Sequence, residues 1–255
     1  MADKKIIAVT GATGAQAGGL ARAILDDPSG EFALRAVTRD PGKDAARALA
    51  DRGAEVVQAD LDDDRMPTLQ EKYKVVHFDA KADADHFFTD AGVPTTFLLT
   101  SFYWENFIFF GLGPQRGKDG VLAVNYPMGD KKLPSIAVED IGKCAYGIFK
   151  RRGELVGQTV GIAGEHPTGA EIAAALTRAL GEEVRYNDVP PDVFRTFGFP
   201  GADDIGNMFQ FWADFNDLYC GNRSVEFSRS LNPELQTLDQ WMAANKDRIP
   251  LGGAG

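Results

Sequence analysis

Three observations predict an α/β fold built around a doubly wound parallel sheet. Residues 5–22 (KIIAVTGATGAQAGGLAR) pass from a short apolar run through a glycine-rich turn straight into a helical pattern. The same alternation of strand, turn and helix continues to residue 60. After residue 120, strands and helices still alternate but in shorter pieces, which predicts a smaller α/β C-terminal lobe interleaved with the first domain. The expected division is 1–120 and 121–255.

The elements follow in order. Ile6 to Val9 form the first strand, and a helix covers roughly Gly18 to Asp26 before Asp27-Pro-Ser-Gly30 ends it. Leu34 to Thr38 is a second strand, Asp44 to Arg52 a second helix, and Glu55 to Ala59 a third strand. This β-α-β-α-β run is one mononucleotide-binding half of a Rossmann-type sheet. Then the rhythm breaks. A strand–helix–strand unit needs about 30 residues, and the interval from Asp60 to Leu69 cannot hold one. Either the sheet is smaller than usual or a segment is absent from this chain. A long helix is predicted from Leu69 to Asp90, then a strand from Thr95 to Thr100. Val121 to Asn125, Gln158 to Ala163 and Glu183 to Asp188 read as strands. Thr168-Gly-Ala-Glu171 fits a capping box for a helix reaching Leu180.

The chain has 255 residues, and its 27 basic against 37 acidic side chains leave a net charge of −10. That balance argues against phosphate-driven binding to nucleic acid. The two cysteines, Cys144 and Cys220, form no metal-ligand pattern and suit a reduced compartment. No apolar run approaches a membrane span. A cytoplasmic location, without membrane or direct nucleic-acid partners, is expected.

Chemistry concentrates at strand ends. Gly11 permits a sharp turn, Gly14 removes a side chain where backbone must approach a pyrophosphate, and Ala17 is small enough for close helix–strand packing. The helix N-terminus then offers free N–H groups to the phosphates. Arg39 follows the second strand, where an acidic residue would favour NAD and an arginine favours the 2′-phosphate of NADP; Lys43 adds a second positive charge. Asp60 could accept from an adenine amino group, or could equally serve as a turn or cap residue. On the long predicted helix Tyr73, His77 and Lys81 are spaced i, i+4, i+8, so all three would share one face. Short-chain dehydrogenases place a tyrosine four residues before a lysine; here that position is His77, an imidazole capable of acid–base work or a packed side chain. Tyr103 and Asn106 follow a strand end, where open α/β sheets bind ligands. Ser101 has no His/Asp arrangement to activate it, and the three histidines (His77, His86, His166) make no metal constellation. The aromatic run from Phe194 to Phe215 reads as lobe core, or as the wall of a cleft or interface.

The chain resembles the NmrA-like family of atypical short-chain dehydrogenases, most closely its redox-sensor (HSCARG-like) branch. The resemblance lies in GATGAQ (11–16), TR…K (38–43), QAD (58–60), HFDAK (77–81), GVPTTFL (92–98), FYWEN (102–106), FGFPGADDIGNMFQFW (197–212) and LNPELQTLDQW (231–241). It implies an NADP-preferring protein, NADPH over NADH. Gly11, Ala12, Thr13, Gly14, Ala15 and Gln16 would cradle the pyrophosphate. Arg39 and Lys43 would take the 2′-phosphate, and Asp60 and Leu61 the adenine side. Lys81 would hold the nicotinamide ribose, and Tyr103, Trp104, Glu105 and Asn106 would line the nicotinamide end. Such proteins commonly lack the dehydrogenase tyrosine, and many are regarded as regulators acting through protein partners. The expected function is therefore NADP(H)-dependent redox sensing with weak or no dehydrogenase activity, through a regulatory protein partner or a homodimer. One alternative is an NAD(P)H-dependent reductase of a quinone or other small carbonyl compound, assisted by His77 or Lys81. Another is an interaction scaffold that has lost the cofactor. Two departures stand out: Ala17 replaces the third glycine, and the strand–helix–strand after the third strand is missing, with the active-site serine and adenosine-ribose contacts it would supply.

Overall fold

The structure, a computed structural model, describes residues 4–38, 40–58 and 73–252. Its first stretch holds β1 (Lys5–Thr10), α1 (Ala15–Leu25), β2 (Phe32–Thr38), α2 (Asp44–Asp51) and β3 (Glu55–Gln58). Then come α3 (Val76–Asp90), β4 (Phe97–Leu99), β5 (Phe102–Tyr103), α4 (Asn106–Phe109), β6 (Gln115–Arg116), β7 (Leu122–Tyr126) and β8 (Ser135–Ile136). The remainder is α5 (Val138–Lys150), α6 (Arg152–Leu155), β9 (Thr159–Gly161), α7 (Gly169–Leu180), β10 (Val184–Asp188), α8 (Pro191–Phe194), α9 (Ala202–Asp214), α10 (Asn216–Gly221), α11 (Val225–Leu231) and α12 (Leu238–Asn245). These gather into two compact units, one of residues 1–64, 138–154 and 229–235, the other of 65–137, 155–228 and 236–255. The division differs from a cut at residue 120: α5 joins the first unit, because its packing partner is α1.

The first unit carries a parallel sheet with β2 between β1 and β3. Ile7, Val9, Leu34 and Ala36 are buried in it, against Ala21 and Ile24 of α1 and Leu49 of α2. Helix α1 meets α5 at two glycines. A Cβ on Gly142 would lie 2.0 Å from the Gly19 carbonyl carbon, so the two backbones touch where side chains would otherwise keep them apart. Polar ties fasten the same contact: Arg22 bridges to Glu139 at 2.6 Å, and the Tyr146 hydroxyl donates to Asp27 at 2.8 Å. At the sheet's end, β1 has no partner beyond β2 among the described residues, and Ile6 is exposed. That edge is what a missing strand–helix–strand unit predicts.

The second unit has its own core of aromatic residues, including Phe102, Trp104, Tyr126, Phe194, Phe209 and Trp241. Its strands pair as β10-β7-β6, β4-β9 and β5-β8, all parallel except β6 with β7. The capping box at Thr168 and Glu171 opens α7 as its sequence predicts, and a second one, Thr237 with Gln240, opens α12. The aromatics from Phe194 to Trp212 are core: Phe194 packs edge-on against Phe209, which meets Trp212 at 88°.

One helix starts later than its sequence suggests. Helix α3 begins at Val76; residues 69–72 lie outside the described stretch, and Tyr73 stands before the helix. Val75 is extended (φ −110°, ψ 93°), and the Val76 N–H is taken by the Asp204 carboxylate at 2.6 Å. A distant carboxylate thus caps the helix where local spacing would have continued it. Tyr73 is consequently not on the face of His77 and Lys81; its hydroxyl donates to Asp214 at 2.7 Å.

Candidate functional site

In the first unit the turn between β1 and α1 has the geometry its glycines permit. Gly11 takes φ +63°, and its N–H bonds to Val37 O at 3.1 Å, tying the turn to β2. The Gly14 N–H then bonds to Gly11 O at 2.8 Å. A Cβ on Gly14 would stand 3.1 Å from that same oxygen, so the tight turn tolerates little there. Ala12 is buried beneath the turn, Thr13 is exposed, and Ala17 packs against the sheet core. Helix α1 has no side-chain cap and no acidic residue in its first turn. Its orphan N–H groups and positive dipole end therefore stay uncompensated, which suits a pyrophosphate.

Lys43 is the residue before α2, exposed and in extended conformation, and it leaves that helix too without a side-chain cap. The side chains of Ala15 and Gln16, and the whole of Arg39, Asp60 and Leu61, lie outside the described residues.

In the second unit the segment after β4 turns its side chains alternately. Phe102 and Trp104 point into the core and Tyr103 does not, the two-residue period of a strand. Trp104 is wholly buried, and its indole N–H donates to Ser135 Oγ at 2.8 Å. Its side chain is therefore committed to the core, and any ligand contact at this position falls to backbone. Glu105 accepts from the Trp241 indole at 3.0 Å. Asn106 is half-buried at the start of α4. Tyr103 is half-buried with its hydroxyl 3.1 Å from Thr100 Oγ1. Ser101 is buried, and its Oγ has no hydrogen-bond partner among the described residues.

Two residues at this site escape a reading of local spacing. Arg223 donates from Nε to Thr100 O at 2.7 Å and lies over the Tyr219 ring at 4.1 Å; burial lowers its pKa. Asp204 holds His77 through a short contact from Oδ2 to Nδ1. The sequence signals for Asp204 are its place in the first turn of α9, where acids are common, and its position within the family-like run at residues 197–212. Lys81 lies one turn after His77 on the same face of α3, and desolvation lowers its pKa although the residue as a whole is exposed. His166 is occupied elsewhere, its Nε2 2.7 Å from Arg223 O. No group of His, Cys, Asp and Glu among the described residues could hold a metal. No helix among them is long and apolar enough to cross a membrane.

Comparison with known proteins bears on the family and the fold. The model of the NmrA-like family matches residues 3–73 and 67–243, nearly the whole chain. The chain belongs to the NmrA-like family. The match comes in two pieces that meet at residues 67–73, next to the interval where the strand–helix–strand unit is missing. An NmrA-like family domain-containing oxidoreductase of Cladobotryum sp. is 26% identical over 281 aligned positions, covering 81% of this chain and 83% of its own. The alignment is longer than the 255 residues here, so the relative holds residues that this NmrA-like chain lacks. Two solved structures share the fold. NmrA, a negative transcriptional regulator in complex with NADP, superposes with TM-score 0.67 at 18% identity, covering 94% of this chain and 95% of its own. An NADPH-dependent quinone oxidoreductase from Escherichia coli gives 0.69 at 20% identity, covering 94% and 98%.

Proposed function

We propose that this NmrA-like chain binds NADP(H) and acts as a redox-sensing regulator with weak or no dehydrogenase activity. The observation that carries cofactor binding is the turn at residues 11–18: a glycine at φ +63°, a second glycine whose Cβ would crowd the Gly11 carbonyl at 3.1 Å, and an uncapped helix behind them. Gly11 to Gln16 would hold the pyrophosphate, Arg39 and Lys43 the 2′-phosphate, and Asp60 and Leu61 the adenine side. Lys81 would hold the nicotinamide ribose, and Tyr103, Glu105, Asn106 and the backbone at Trp104 the nicotinamide end. Bound there, the dinucleotide would supply or withdraw a hydride.

Two features support sensing over turnover. The position four before Lys81 is not a tyrosine, and the segment that would bring the active-site serine is absent. The thiols do not compete as sensors, since burial pushes Cys144 up to about 12 and raises Cys220 as well. The redox signal would then be the state of the dinucleotide, read by a protein partner or a second copy of the chain.

A second reading, a reductase of a quinone or other small carbonyl compound, is supported by the His77–Asp204 pair beside Lys81. The test is a titration with NADPH and NADH followed by nicotinamide fluorescence, then turnover of NADPH against a quinone panel. Tight NADPH-selective binding without turnover supports the sensor. Steady turnover supports the reductase, and a folded protein that binds neither nucleotide sinks both.

A further inference from the structure

A carboxylate in the first turn of α9 reaches across 127 positions of sequence to the start of α3. Its two oxygens have different tasks. Oδ1 of Asp204 accepts the Val76 backbone N–H at 2.6 Å, one of the donors a helix start leaves without a partner. Oδ2 faces Nδ1 of His77. An ionised carboxylate only accepts, so the proton between them belongs on the ring nitrogen. Nε2 of His77 has no hydrogen-bond partner among the described residues, and 36% of the side chain is open to solvent.

We propose that Asp204 is a positioning residue: it holds His77 as the Nδ1–H tautomer and leaves the Nε2 lone pair as the atom that exchanges protons beside Lys81. A free histidine side chain in water favours the opposite tautomer, so the assignment is not a default. Nε2 takes a proton from solvent, the ring becomes an imidazolium facing the carboxylate, and the same atom gives the proton up. The catalytic meaning of this pair rests on the reductase reading; the tautomer itself does not.

The geometry makes Asp204→Asn informative. The amide oxygen must stay on the Val76 N–H, because an NH₂ there would set donor against donor. The NH₂ then faces Nδ1 of His77, which must become the acceptor, and the proton moves to Nε2. The cap survives while the tautomer reverses. His166 is an internal reference of the opposite kind: its Nε2 faces the Arg223 carbonyl at 2.7 Å, and a carbonyl only accepts, so that ring carries its proton on Nε2.

The experiment is a two-bond ¹H–¹⁵N correlation spectrum of the full chain at about pH 8.5, well above the ordinary imidazole value, with His77→Gln used to assign the His77 signals. The expected result is Nδ1–H for His77, Nε2–H for His166, and reversal at His77 alone in Asp204→Asn. An Nε2–H pattern at His77 in the unsubstituted protein, or no change in Asp204→Asn, overturns the proposal; the first measurement needs no variant to fold. If NADPH-dependent quinone reduction is found, Asp204→Asn should lower kcat at least about tenfold with NADPH affinity unchanged. An unchanged kcat with a reversed tautomer overturns the proton-exchange role. Absence of turnover in the unsubstituted protein removes the reductase reading and leaves the spectrum to decide the tautomer.

Discussion

A single Cβ is enough to test the turn at Gly14. Gly14 has φ −83°, which any residue adopts, so a substitution there does not strain the backbone. Because its Cβ would stand 3.1 Å from the Gly11 carbonyl, Gly14→Val should lower the unfolding midpoint somewhat and, beyond that, weaken NADPH by about tenfold or more, some 1.4 kcal/mol. Fluorescence titration beside urea unfolding separates the two effects. Arg39→Asp should weaken NADPH and leave NADH little changed, because only the former carries the 2′-phosphate; equal affinities before and after would remove Arg39 from the site. His166 makes a pH prediction. Burial lowers its pKa in the folded protein, so between that value and the ordinary 6.5 the unfolded chain binds more protons. Its neutral form therefore supports folding fully above about pH 6.5 and loses that support as pH falls. Chemical denaturation of His166→Asn should show a shallower loss of stability below that pH.

Among the elements, the α1–α5 crossing depends most on residue size. A Cβ on Gly142 would meet the backbone of Gly19 and Leu20, and backbone cannot swing aside as a side chain can. Gly142→Ala should cost about 2 kcal/mol or more, in the range of overpacked cores, read as a lower urea midpoint. Thr168→Ala, which removes one half of a capping box, should cost about 1 kcal/mol. The ordering of these two losses is the sharper test: a cap is a local contact, whereas the crossing holds α5 in the first unit. Helix α3 shows the limit of local reading. Its i, i+4 spacing from Tyr73 was visible in the chain, but its start is set by Asp204.

For the whole molecule the sheet edge at β1 matters most. Among the described residues β1 ends its sheet unpaired, and Phe87 and Phe88 of α3 are exposed. Exposed strand edges and apolar patches favour association, while a net charge of −10 opposes it. Salt screens that repulsion, so sedimentation velocity should show more self-association at high than at low ionic strength. Cofactor binding is also a whole-molecule readout: NADPH at a hundred times its Kd should add about 2.7 kcal/mol of stability. A thermal shift that is absent with both nucleotides would mean that the remaining sheet does not support the site.

The chain alone determined what rests on neighbouring residues. The turn at Gly11 and Gly14, the capping box at Thr168 and Glu171, and the β-α-β-α-β order to Gln58 depend on contacts within a few positions, and each was legible. The interval from Asp60 to Leu69, too short for a strand–helix–strand, could be counted in the same way. Tertiary structure decided what rests on distant partners. It turned Trp104 into the core, joined Gly19 to Gly142, set the start of α3 and brought Asp204 to His77. Each of these pairs residues far apart in sequence, and their meeting is fixed by burial and backbone hydrogen bonding of whole elements, which no local spacing encodes.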